Sequence, residues 1–176
     1  VEEVMETKIL NKEQIPEAVA LLRKGELVAF PTETVYGLGA LATNEKAVKS
    51  VYAAKGRPSD NPLIVTVSDE EMMEKYVNEV PERAKKLIKH FWPGPLTIIL
   101  KSKNNLSNNV TAGLDTVGIR MPDNDIALNI IDVSQKPIAA PSANISGKPS
   151  GTKIEDIFDE LNNRVDAFVD GGDTDI

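Results

Sequence analysis

Lys55 and Arg57 stand two residues apart in Lys55-Gly56-Arg57-Pro58, and Asn61 follows closely. Far along the chain, Ser142 and Asn144 repeat that spacing with a hydroxyl and an amide, and Ser150 adds a further hydroxyl. Together these groups suit a polyphosphate. A guanidinium grips phosphate oxygens as a fork, an ammonium acts as a point charge, and hydroxyl and amide groups fill the remaining acceptor sites. The plainer use for the two cations is to satisfy the last carbonyls and the dipole of a helix ending there. The chain has no Gly-Lys-Ser/Thr phosphate loop and no Gly-x-Gly-x-x-Gly fingerprint, so a nucleotide bound here is held by another design.

Other chemistries find less support. Glu33, Asp60 and Asp115 could help hold Mg²⁺, yet each is also an ordinary turn residue. His90 is the only histidine, in a Lys-rich stretch that reads as a solvated helix face, so Ser-His-Asp catalysis and histidine metal sites are poorly served. The absence of cysteine excludes disulfides, thiolate nucleophiles and zinc–thiolate sites, which fits a reducing cytoplasm. Aromatic residues make up 5%, too few for a base-stacking surface, and Phe91 and Trp92 read as core plugs.

The candidate residues fall in four loops rich in Gly, Pro and hydroxyl groups: 31–39, 55–62, 111–116 leading to Arg120, and 141–152. Any one of them could be simply a tight turn. The segments between them alternate in type. Asn11 with Gln14 makes a capping box for a helix to Lys24, with Ile15, Ala18, Val19 and Leu22 inward. Leu27–Phe30 reads as a buried strand. Asn44–Ala54 reads as a helix ended by Gly56 and Pro58. Leu63–Val67, Leu96–Lys101, Thr116–Met121, Pro137–Ala140 and Arg164–Asp170 read as strands. Asp69–Asn78, Pro81–Phe91 and Ile154–Asn163 read as helices, the second with Ala84, Leu87, Ile88 and Phe91 on one side. Lys103–Asn109 reads as a surface loop. Alternation of this kind implies an α/β layered fold, and no repeat or linker divides it, so a single domain is expected across 1–176.

The net charge of −7 argues against a surface that holds nucleic acid by broad charge neutralisation, though a local basic pocket stays open. No apolar stretch is long enough to span a membrane, and the first residues lack the pattern of a signal peptide. A cytoplasmic location is the expectation.

The stretches PTETVYGLG, KGRPSDNPLIV, FWPGPLTIIL, TAGLDTVGIRMP and PSANISGKPS occur in that order and cover Phe30 to Thr152 nearly continuously. They resemble the signature stretches of the YrdC-like threonylcarbamoyl-AMP synthase family. The resemblance implies a twisted mixed α/β sheet flanked by helices around a deep, positively lined cavity. It implies synthesis of threonylcarbamoyl-adenylate and pyrophosphate from L-threonine, bicarbonate and ATP, with Mg²⁺ as cofactor. The product would pass to downstream tRNA threonylcarbamoyl-transferase proteins acting on adenosine 37 of tRNA, with tRNA or double-stranded RNA as a further candidate partner. Carried over residue by residue, the catalytic set falls on Lys55, Arg57, Ser142 and Asn144. ATP contacts fall on Arg57, Asn61, Thr116, Ser142 and Ser150, and the threonine site on Thr32, Thr66, Arg120 and Ala140.

Two departures accompany the resemblance. Many relatives carry His where Thr66 stands, which keeps a hydroxyl but supplies no imidazole. Relatives also continue past the Asp170-Gly171-Gly172 strand with a stretch whose Ser contacts threonine, so a domain short at its C-terminus is expected. Three alternatives stand beside the synthase: an RNA-binding or ribosome-associated module using the basic cavity without turnover, a domain of a larger carbamoyl-transferring protein, and a paralogue that binds ATP without turning it over.

Overall fold

Eight strands align in one mixed sheet in the order β1-β8-β2-β3-β7-β4-β6-β5. The structure, a computed structural model, describes residues 6–56, 61–144 and 153–172. The strands are β1 (Lys8–Asn11), β2 (Val28–Pro31), β3 (Tyr36–Leu41), β4 (Val65–Thr66), β5 (Ile98–Lys101), β6 (Thr116–Arg120), β7 (Ile138–Ala139) and β8 (Ala167–Asp170). The helices are α1 (Ile15–Arg23), α2 (Glu45–Lys55), α3 (Glu70–Glu74), α4 (Glu82–Phe91), α5 (Asn108–Thr111), α6 (Asp125–Ser134) and α7 (Ile154–Leu161). Pairing is parallel between β1 and β8, β8 and β2, and β4 and β6, and antiparallel elsewhere, so the expected mixed α/β sheet is present.

The amphipathic patterns place the helices as the sequence predicts. Ile15, Ala18, Val19 and Leu22 of α1 are buried, and so are Ala47, Val48, Val51 and Tyr52 of α2. At the head of α1, Gln14 Oε1 accepts the Asn11 N–H (2.9 Å) and Asn11 Oδ1 accepts that of Glu13 (2.9 Å). These bonds close the turn before the helix rather than forming the expected capping box, because α1 starts at Ile15 and its N-cap, Gln14, makes no side-chain cap bond. Asn44 caps α2 by accepting the Ala47 N–H, and Gly56 ends it in the left-handed conformation that glycine adopts without a steric penalty.

Several elements differ from the sequence reading. The Tyr36–Leu41 segment, read as loop because of its two glycines, is strand β3 and buried throughout. Its pairing with β2 explains the composition: a Cβ on Gly39 would lie 2.5 Å from the Phe30 ring, so the glycine serves close packing rather than a turn. Strand β1 and helix α6, to which the sequence reading gives no element, are also present. Asn124 caps α6 through the Ala127 N–H (3.1 Å), and α6 packs against α1. The expected strand Leu63–Val67 contributes only Val65 and Thr66 to the ladder. In α4, Ala84 and Ile88 are buried while Leu87 and Phe91 are exposed, because the helix presents one narrow stripe to the core. Phe91 is therefore no core plug, whereas Trp92 packs against the core and donates Nε1–H to the Leu96 carbonyl. Within the expected surface loop 103–109, Leu106 and Ser107 are buried.

Candidate functional site

Lys55 closes α2 with its last turn and is 3% exposed, unusual for a lysine. Its Nζ donates to the carbonyl oxygens of Ser142 and Asn144, the latter at 2.9 Å. Ser142 Oγ in turn hydrogen-bonds Asn144 Oδ1. Three of the four residues expected to be catalytic thus meet, although 87 positions separate Lys55 from Ser142. The fourth, Arg57, lies outside the described residues, as do Asp60 and Ser150.

The 140–144 segment is seated against β3. Ser142 bridges Gly37, the Ala143 N–H donates to the Tyr36 carbonyl and the Leu38 N–H to that of Pro141, both at 2.8 Å. Tyr36 anchors this corner. Its ring stacks on Phe168 (centroids 4.9 Å apart), its hydroxyl donates to the Gly172 carbonyl (2.7 Å), and it accepts the Gly171 N–H (3.0 Å). Ala140, half-buried, donates its N–H to the Ile64 carbonyl (3.1 Å). Asn61 is exposed, with its backbone carbonyl held by the Tyr52 hydroxyl, which also reaches the Asn109 carbonyl at 2.8 Å.

Strand β6 carries the next two candidates. Thr116, Gly118 and Arg120 alternate with buried Val117 and Ile119 and so leave one half-open face of the sheet. Four residues of strand separate Thr116 from Arg120 by about 13 Å. Beside Thr116 lies a cavity of about 270 Å³ whose other walls, Leu63, Ile64, Ile99 and Leu114 among them, are mainly apolar. Thr66 is the register partner of Arg120 and shares its face. The Thr66 hydroxyl is buried and donates to the Ile138 carbonyl (2.8 Å), so its proton is committed to the neighbouring strand. Thr32, also buried, folds its own loop: Oγ1 donates to the Val35 carbonyl and accepts the N–H groups of Thr34 and Val35, each at 3.2 Å.

The Arg120 guanidinium is mostly buried, and burial lowers its pKa from the ordinary value. It pairs with Glu33, a residue that the sequence suggests as a Mg²⁺ ligand or an ordinary turn residue. Both Glu33 oxygens are occupied, one by Arg120 and the other by the Asp123 N–H (2.6 Å). Among the described residues no group of three or more His, Asp or Glu could hold a metal ion. His90 is exposed on α4. No helix among the described residues is long and apolar enough to cross a membrane.

The sequence profile of the Sua5/YciO/YrdC family, described as telomere recombination, matches residues 20–176. A threonylcarbamoyl-AMP synthase of Bacillus subtilis is 59% identical over 167 residues, covering 94% of this chain and 48% of its own length. One from Vibrio vulnificus is 31% identical over 159 residues, covering 89% of this chain and 86% of its own length. The crystal structure of Pyrococcus abyssi Sua5 complexed with L-threonine superposes with a TM-score of 0.92 at 49% identity, covering 96% of this chain and 51% of that one. The chain spans about half the length of the Bacillus and Pyrococcus proteins.

Proposed function

Because the chain belongs to the Sua5/YciO/YrdC family, we propose that it carries the activity of an L-threonylcarbamoyladenylate synthase, a nucleotidyltransferase supplying tRNA threonylcarbamoyl modification. One observation carries this reading most: buried Lys55 draws Ser142 and Asn144 into one cluster, uniting the two short motifs suited to a polyphosphate. The names of the similar proteins and the bound L-threonine of the Pyrococcus relative point the same way.

In this proposal Arg120 takes the carboxylate of threonine, near Thr32, Thr66 and Ala140. The neutral amine attacks bicarbonate, giving a carbamate and releasing water. A carbamate oxygen then attacks the α-phosphorus of ATP and pyrophosphate leaves. Thr116 and the apolar cavity beside it receive the nucleoside end of ATP, about one strand-length from the carboxylate end, and the phosphate contacts are assigned to Asn61, Ser142, Ser150 and Arg57. Lys55 fixes the 142–144 segment and contributes positive charge to a region where negative charge grows, an electrostatic role that needs no covalent intermediate. Mg²⁺ bound with ATP would supply positive charge offsetting that of the phosphates. The positively lined cavity, the cytoplasmic setting and the downstream transferase proteins belong to the same proposal, as does the assignment of 1–176 to one domain.

The test is pyrophosphate release from Mg-ATP, omitting threonine and bicarbonate in turn, with Arg57→Ala as control. Release that requires both co-substrates and is lost in the control is the expected result. ATP binding without release would instead support a paralogue that does not turn over. RNA affinity that falls steeply with salt, without any release, would favour the RNA-binding module.

A further inference from the structure

We infer that Glu33 is a positioning residue for the carboxylate-binding guanidinium of Arg120, an inference that rests on the threonine-site reading of Arg120 above. An arginine side chain is long and has many rotamers, so a receptor built on one must restrain it. Here two acceptors do so. Arg120 Nε donates to the Gly94 carbonyl (3.2 Å) and Nη2 donates to Glu33. Together these contacts use the Nε–H and one N–H of Nη2. Among the described residues no further acceptor is found for it, and its other N–H groups are donors that a carboxylate can accept from.

Glu33 is itself held. Its second oxygen accepts the Asp123 N–H, so the carboxylate spans the β2–β3 loop and the turn after β6. The Glu33 and Arg120 side chains are only 20% and 15% exposed, so solvent screens their attraction less than it would at the surface. The same loop carries Thr32, whose hydroxyl closes it on Val35. One carboxylate therefore sets the register of two elements that meet the substrate in the proposal. Its function is to orient Arg120, and it leaves the nucleotide end of the site untouched.

The test is calorimetric binding of threonine and of Mg-ATP to the 176-residue chain, for the unaltered protein, Glu33→Ala and Glu33→Gln. Glu33→Ala is expected to weaken threonine about tenfold, from loss of a charge-assisted hydrogen bond and its anchor. Glu33→Gln keeps one acceptor oxygen, enough for Arg120, and loses the one that takes the Asp123 N–H, so it should weaken threonine about threefold, a partial rescue. Affinity for Mg-ATP should stay within about twofold in both variants, which also certifies their fold. Unchanged threonine affinity in Glu33→Ala would overturn the inference, and tighter binding would do so by showing that Glu33 competes with the substrate. Parallel loss of both ligands would reduce Glu33 to a folding role and overturn it equally. An unaltered chain that binds Mg-ATP but no threonine would fail the threonine-site reading first, and the inference with it.

Discussion

Strands β2, β3 and β8 form a closed region of the sheet, whereas β6 and β5 keep one face half open. In β3 every residue from Tyr36 to Leu41 is buried, and the Phe30 ring occupies the space over Gly39. In β6 and β5 burial alternates, and Ile64, Ile99 and Leu114 stand 41%, 71% and 52% exposed around the cavity beside Thr116. Close packing in the first region fixes the corner where Tyr36 meets Phe168 and the 140–144 segment. The second region leaves backbone and side chains accessible to a ligand. The difference teaches that rigidity and access are divided between neighbouring strands, with the Lys55 cluster and the Arg120–Glu33 pair built where they join.

Four substitutions would break or sharpen that contrast. Lys55→Met keeps the apolar stem but removes the donor that joins Ser142 and Asn144. Pyrophosphate release should fall about 100-fold, read in single-turnover kinetics; a fall below fivefold would separate the cluster from the chemistry. Next in size, Gly39→Ala should cost about 2 kcal/mol in urea unfolding, since its methyl would meet the Phe30 ring at 2.5 Å and the Val28 carbonyl at 3.0 Å in a fully buried strand. Thr66→Val keeps the shape but leaves the Ile138 carbonyl without the hydroxyl proton, costing about 1 kcal/mol in the same measurement. The smallest effect belongs to the open face. Gly118→Ala comes near the Thr97 methyl at 3.1 Å, with Ile64 at an ordinary 3.9 Å, and should change stability by no more than about 0.5 kcal/mol. Equal losses for Gly39→Ala and Gly118→Ala would erase the distinction between the two regions.

Local pattern carried much of this protein. The apolar periodicity of α1 and α2 and the Gly56 stop depend on residues within a few positions of one another, and each is found where the sequence places it. The family was legible for a related reason: its stretches keep their order along the chain, and order survives without any knowledge of contacts. Three features were beyond such reading. Glycine in Tyr36-Gly37-Leu38-Gly39 signals a turn locally, and only pairing with β2, which sets Phe30 over Gly39, turns it into a strand. The hydroxyl of Thr66 is visible in the sequence, but its donation to Ile138 arises from a neighbouring strand 72 positions away. Glu33 looks like a loop carboxylate until the fold brings Arg120 to it from 87 positions away.

Side-chain chemistry and short-range periodicity were enough to set helices α1, α2, α4 and α7, the class of the fold and the residue types able to meet a phosphate or a carboxylate. The tertiary structure alone decided which of those residues share a site and which protons are already committed. Those outcomes depend on strand order and burial, where distant backbone carbonyls and carboxylates become the nearest available partners.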